Sequence, residues 1–155
     1  MQEIIDHIDR LTACYVRQME SYAALNATAA DERRLVRDSE MDALTPILRR
    51  KQTLLAAVDE EQPAIMEQQK LLAAFFDLSE FSVPQMLERA PNRYQPALQR
   101  LQEALQRLIA VLEQVEDHEK ELEAELRQRA GESPIRGPQS KERAAKAYKK
   151  HKPKA

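Results

Sequence analysis

The residues that could do chemistry in this chain are few and scattered. His7, His118 and His151 sit on three different segments, and Cys14 is the one cysteine. A metal site needs three or four ligands at suitable spacing, and these residues do not supply it. The run His118-Glu119-Lys120-Glu121 falls short of HEXXH, because position 122 is leucine. Acidic pairs such as Glu60-Glu61 and Glu116-Asp117 suit a solvated helix surface better than an acid–base dyad. No glycine-rich loop could cradle phosphate, since Gly131 and Gly137 are the only glycines. A lone cysteine cannot close an intramolecular disulfide, and no evident cation or histidine lowers the Cys14 thiol pKa. The expectation is a reduced, cytoplasmic protein that is not an enzyme and takes no cofactor or metal. No apolar run approaches 18 residues, so no membrane insertion is expected.

The charge is more telling. The whole chain carries −2, but the stretch 139–155 holds seven cations against the single anion Glu142, a net +6. Residues 1–138 therefore carry −8. An acidic body with a basic tail admits three uses. The tail could bind nucleic acid through counterion release, although Tyr148 is its only aromatic platform, which makes nucleic acid the weaker candidate. It could fold against a protein partner, with Ala144, Ala147 and Tyr148 on one helical face and Lys149 and Lys150 steering the encounter. It could also be a solubilising terminus.

Three stretches must position whatever this chain binds. Leu98, Leu101, Leu105, Leu108, Leu112, Val115, Leu122 and Leu126 follow steps of three and four, the seam of a coiled-coil-like helix. At 1.5 Å per residue that helix is on the order of 45 Å long. Glu119 interrupts the seam. Either the helix end has splayed into solvent there, or the glutamate sets register or partner. Ile4, Ile8, Leu11, Tyr15, Met19, Tyr22 and Leu25 mark a first helix with no breaker, expected to continue through Val36. A second helix, capped by Ser39 with Asp42 three residues on, or starting at the rival Thr45-Pro46, carries Leu44, Leu48, Lys51, Leu55, Val58, Gln62, Ile65, Gln69 and Leu72. Three of those stripe positions are polar, and Pro46 and Pro63 should kink or break the helix. Ser82 and Pro84 start a short connecting helix, and Asn92 is a candidate cap for the third long one.

The expected fold is all-α: an elongated antiparallel three-helix bundle over residues 1–130, with a short helix between the second and third. A linker spans 131–138, GESPIRGP, and a basic, inducibly helical tail spans 139–155. The seam could alternatively pair two copies, which leaves a homodimer open.

Residues 32–58, ERRLVRDSEMDALTPILRRKQTLLAAV, resemble the pattern of the FlgN-type flagellar export chaperones. The matching positions are Glu32, Leu35, Asp38, Leu44, Lys51, Leu54 and Leu55. The family's C-terminal Tyr–Gly arrangement is not reproduced by Arg136-Gly137 and Tyr148. The resemblance implies a cytoplasmic, all-helical chaperone that ends in a cargo-engaging segment. Such a protein binds hook-associated flagellar proteins through their terminal helices, keeps them unassembled and delivers them to the export apparatus for type III export. The competing expectations are a dimeric coiled-coil scaffold and a nucleic-acid accessory protein.

Overall fold

The computed structural model describes residues 2–130. Its elements are α1 (Gln2–Ala27), α2 (Ala29–Arg37), α3 (Met41–Phe75), α4 (Val83–Arg89), a 3₁₀ turn (Asn92–Tyr94) and α5 (Gln95–Ala130). No strand occurs among the described residues. Three long stems, α1 with α2, then α3, then α5, make the bundle expected from the periodicity. The linker 131–138 and the tail 139–155, with Ala144, Ala147, Tyr148, Lys149 and Lys150, lie outside the described residues.

The first stem is one helix bent at a single residue. Thr28 keeps near-helical dihedrals, φ −89° and ψ −10°, but its N–H bonds to Leu25 O at 3.1 Å, one residue short of the α-helical partner. The helix expected to continue through Val36 therefore bends at Thr28 but does not stop there. The bend does not cost the stem its phase. Asn26 pairs with Gln114, Arg33 with Glu121 and Arg37 with Glu125, an offset of 88 residues on both sides of Thr28. Pair numbers that rise together show that the first stem and α5 run parallel. Against α3 the numbers run oppositely, from His7–Gln68 through Arg17–Glu61 to Glu32–Lys51, so α3 is antiparallel to the first stem. α1 packs along both α5 and α3 and is the shared partner of the other two.

α3 runs as one helix from Met41 to Phe75 through both prolines. Pro46 and Pro63 each remove one hydrogen-bond rung without ending the helix. Ser39 is not the cap of α3. It has φ 58° and closes α2 instead. Ser39 N–H bonds to Val36 O and Glu40 N–H to Leu35 O, the paired bonds of a Schellman stop. Asp77, also at φ 58°, ends α3 in the same way: its N–H bonds to Ala74 O and that of Leu78 to Ala73 O. With no glycine before Gly131, serine and aspartate take left-handed positions that glycine would occupy more cheaply. Ser82 does cap the short helix, its hydroxyl accepting from the Gln85 N–H at 3.4 Å. Asn92 opens the 3₁₀ turn, and α5 begins three residues later with Pro96 in its first turn, where a missing N–H costs nothing.

The core follows the stripes. Leu98, Leu101, Leu108 and Leu112 are fully buried, and Leu105, Val115, Leu122 and Leu126 nearly so. Each fully buried leucine contributes roughly 1.5–3 kcal/mol relative to exposure. Phe75, Phe76 and Tyr94 close one end of the bundle edge to face, with centroids 4.9–5.8 Å apart. The apolar core is not continuous. A large cluster runs from Ile8 to Leu25 on α1 and from Tyr94 to Val115, with Leu55 to Leu72 of α3 and Phe76 just past its end. A smaller one gathers Leu35, Val36, Leu44, Leu122 and Leu126.

Candidate functional site

Between the two apolar clusters lies a layer of buried charge. Glu32 comes from α2, Lys51 from α3 and Glu119 from α5, and they are only 3%, 4% and 7% exposed. Heptad spacing brings them together: each holds a seam position on its own stem, and the bend at Thr28 leaves α2 in phase to deliver Glu32. Lys51 Nζ donates to Glu119 Oε1 at 2.5 Å and to Glu32 Oε2 at 3.0 Å. Glu119 is thus packed inside the bundle. The helix end has not splayed, and the residue that interrupts the seam is the anchor of this layer.

One ammonium faces two carboxylates, so the layer has one negative charge too many if both are ionised. Burial pushes the Glu32 carboxyl above its ordinary range, and this outweighs the attraction of Lys51 and the hydrogen bonds from Lys51 and Thr28. For Lys51, burial acts against the charged amine. The pull of Glu119 and Glu32, with their hydrogen bonds, is stronger and raises its pKa. The surroundings of Glu32 suit a protonated acid. Thr28 Oγ1 lies 2.8 Å from Leu25 O and 2.9 Å from Glu32 Oε1, yet a hydroxyl has one proton to give. A neutral Glu32 can donate to Thr28 Oγ1 and leave the threonine proton for Leu25.

The resemblance residues fall largely on this layer and its borders. Glu32 and Lys51 are in it. Leu35 and Leu44 belong to the smaller cluster, Leu55 belongs to the larger, and Leu54 packs half-buried against the larger. Asp38 is exposed at the α2–α3 corner. The sequence alone singled out Glu32, Lys51 and Glu119 separately and gave no sign that they meet. A polar residue on an apolar stripe, Lys51 on one and Glu119 on another, marked each position but not its partner.

The other chemistry-bearing residues stay apart. His7 Nδ1 pairs with Gln68 Oε1 at 2.7 Å, far along α1 from His118 on α5. Among the described residues, no group of three or more His, Cys, Asp or Glu side chains is placed to hold a metal. Cys14 does have a cationic neighbour, with Arg17 Nη2 donating to its sulfur at 3.3 Å. Burial nevertheless pushes its thiol pKa up, against the pull of Arg17. On α1, Tyr15 Oη accepts from Gln69 Nε2 at 2.8 Å. One heptad along, Tyr22 and Gln62 hold the equivalent positions. There the Tyr22 hydroxyl and Gln62 Oε1 are buried without a hydrogen-bond partner among the described residues. Burial raises both tyrosine pKa values.

The outer face offers a surface to a partner. Between α1 and α5, on the side lined by Thr12, Val16, Met19 and Ala104, runs a groove of about 220 Å³ with Arg100 and Arg107 at its edge. Among the described residues, no helix is long and apolar enough to cross a membrane. No curated protein and no solved structure gave a significant match. The family model described as FlgN protein matches residues 1–150, spanning the bundle, the linker and most of the basic tail. This chain belongs to the FlgN family, a family of flagellar export chaperones.

Proposed function

We propose that this chain acts in the cytoplasm as a non-enzymatic chaperone for hook-associated flagellar proteins. It would bind them through their terminal helices, keep them unassembled and present them to the export apparatus. The observation that carries this reading is the family match, which extends past the bundle through residue 150. The physics is compatible with it. Unassembled filament-type subunits expose long amphipathic helices, and a three-stem bundle with an open groove between α1 and α5 has room beside it for a fourth helix. The tail, with Ala144, Ala147 and Tyr148 as apolar contacts and Lys149 and Lys150 as steering charges, is our assignment for the cargo contact. Ordering that tail on binding would cost affinity relative to the area it buries.

Co-purification of the full chain with the C-terminal segments of hook-associated proteins tests the function. Truncation after residue 138 tests the tail: cargo binding should fall at least tenfold, and unchanged binding would move the contact to the bundle. Burial of the α5 seam against the other stems of the same chain favours the chaperone reading over a scaffold dimerised through that seam. Leu105→Asp and Leu112→Asp should therefore unfold the protein and not merely dissociate a dimer, which sedimentation and circular dichroism together distinguish.

A further inference from the structure

Where the bend at Thr28 faces α5, the bundle forms a partly open cavity of about 10 Å³. Asn26, Ala29 and Glu32 line one side, and His118 and Glu119 line the other. That volume is close to what a single water requires. Three of these residues each carry a buried polar atom without a hydrogen-bond partner among the described residues: Asn26 Oδ1, His118 Nδ1 and Glu119 Oε2. Asn26 Nδ2 donates to Gln114 at 2.9 Å, which fixes Oδ1 as the atom left over, and Glu119 Oε1 accepts from Lys51. A buried carboxylate oxygen with no donor is expensive, and so is a buried amide oxygen.

We propose that this cavity is a binding site for one water molecule, shared by Glu119, Asn26 and His118. The water donates its two O–H groups to Glu119 Oε2 and Asn26 Oδ1 and accepts the Nδ1–H of His118. That arrangement satisfies all three atoms and requires a proton on His118 Nδ1. It adds solvent as a fourth member of the charge layer, next to the bend. A small monovalent cation would need all three atoms as acceptors and so the opposite tautomer.

A high-resolution crystal structure of the full chain, with ¹⁵N NMR of His118 at neutral pH, tests the site. The expected result is an ordered peak about 2.7–3.0 Å from Glu119 Oε2 and Asn26 Oδ1, with the proton on Nδ1. An empty cavity overturns the proposal. So does an Nε2–H tautomer together with a melting temperature that rises in ammonium or sodium over choline at fixed ionic strength, which would make it a cation site. Two isosteric variants at Ala29 give a second readout. Ala29→Thr places a hydroxyl near the water position, whereas Ala29→Val expels the water without replacing its hydrogen bonds. Ala29→Thr should melt higher than Ala29→Val, and the reverse order means that the cavity is dry.

Discussion

Lys51 on α3 donates to Glu119 on α5 at 2.5 Å, and the bond crosses the bundle at the level where its two apolar clusters part. With Glu32 it makes a layer in which three stems must be in register at once. The energetic worth of such a layer is asymmetric. Forming it costs the desolvation of an ammonium and two carboxyl groups, and breaking it strands whatever charge remains.

Lys51→Met should therefore destabilise the protein strongly at neutral pH, by about 3–5 kcal/mol. It leaves two buried carboxylates with no cation between them. The loss should shrink as pH falls and the carboxyls take up protons. The triple change Lys51→Met, Glu32→Leu and Glu119→Leu should bring stability back to the level of the original chain or above it. Urea denaturation followed by circular dichroism at two pH values measures all of this.

The two glutamates should respond differently to neutralisation. Burial holds the folded-state pKa of Glu32 above its ordinary 4.5. Folding therefore favours its acid form, and this contribution is complete below the ordinary value. It is lost as pH rises through the higher folded one. Glu32→Gln keeps the shape and cannot ionise, so its stability should be flatter with pH over that window and should match or exceed the original at pH 8. Glu119→Gln weakens the shorter bond to Lys51 and should lower stability at the same pH. Equal losses from the two variants would contradict a raised Glu32 pKa.

Amide hydrogen exchange should divide the molecule at this layer. The smaller cluster around Leu35, Leu44, Leu122 and Leu126 buries less apolar surface than the one around Leu11, Leu72, Leu101 and Leu108. Local opening is cheaper where fewer apolar contacts must be broken. Residues 29–48 and the α5 turns beyond Glu119 should exchange faster than residues 98–112. Uniform protection along α5 would mean that the two clusters open as one unit.

The paired tyrosines give a test of opposite signs. Tyr15→Phe removes the acceptor for Gln69 and should cost about 1 kcal/mol. Tyr22→Phe deletes a buried hydroxyl without a hydrogen-bond partner among the described residues, so it should leave the melting temperature unchanged or raise it.

Ser39 and Asp77 both occupy left-handed backbone at φ 58°. Ser39→Gly and Asp77→Gly should each stabilise the protein by about 1 kcal/mol, offset partly by the greater freedom of glycine in the unfolded chain. A loss of stability in either variant would mean that the side chain itself holds the turn.

Much of this fold was legible in the order of residues. The leucines from Leu98 to Leu126 lie on one buried line, and Ser82 with Pro84 starts α4, because both signals are local. What was not legible depended on distant partners. Glu119 looks like a defect in an apolar seam until Lys51, 68 residues earlier, is seen opposite it. Ser39 followed by Asp42 reads as a helix start, yet the Schellman bonds to Leu35 and Val36 make it a helix end. A serine favours either role, and the chain's shortage of glycine hid the stop signal. An antiparallel three-helix bundle already implies that the first stem and α5 run parallel, but their offset of 88 residues was invisible, since a stripe records which face is apolar and not which residues will cover it.

That parallel register has a consequence for how the molecule is made. The first stem pairs with a segment about 88 residues further on, across the bend at Thr28 and on both sides of it. During synthesis α1 emerges long before α5 exists, and α3 alone can cover only part of its apolar face. The native packing of the earliest residues must therefore wait for some of the latest. Pairing of such sequence-distant segments is slow because of the loop that must close. For a while the nascent chain itself presents an uncovered amphipathic helix.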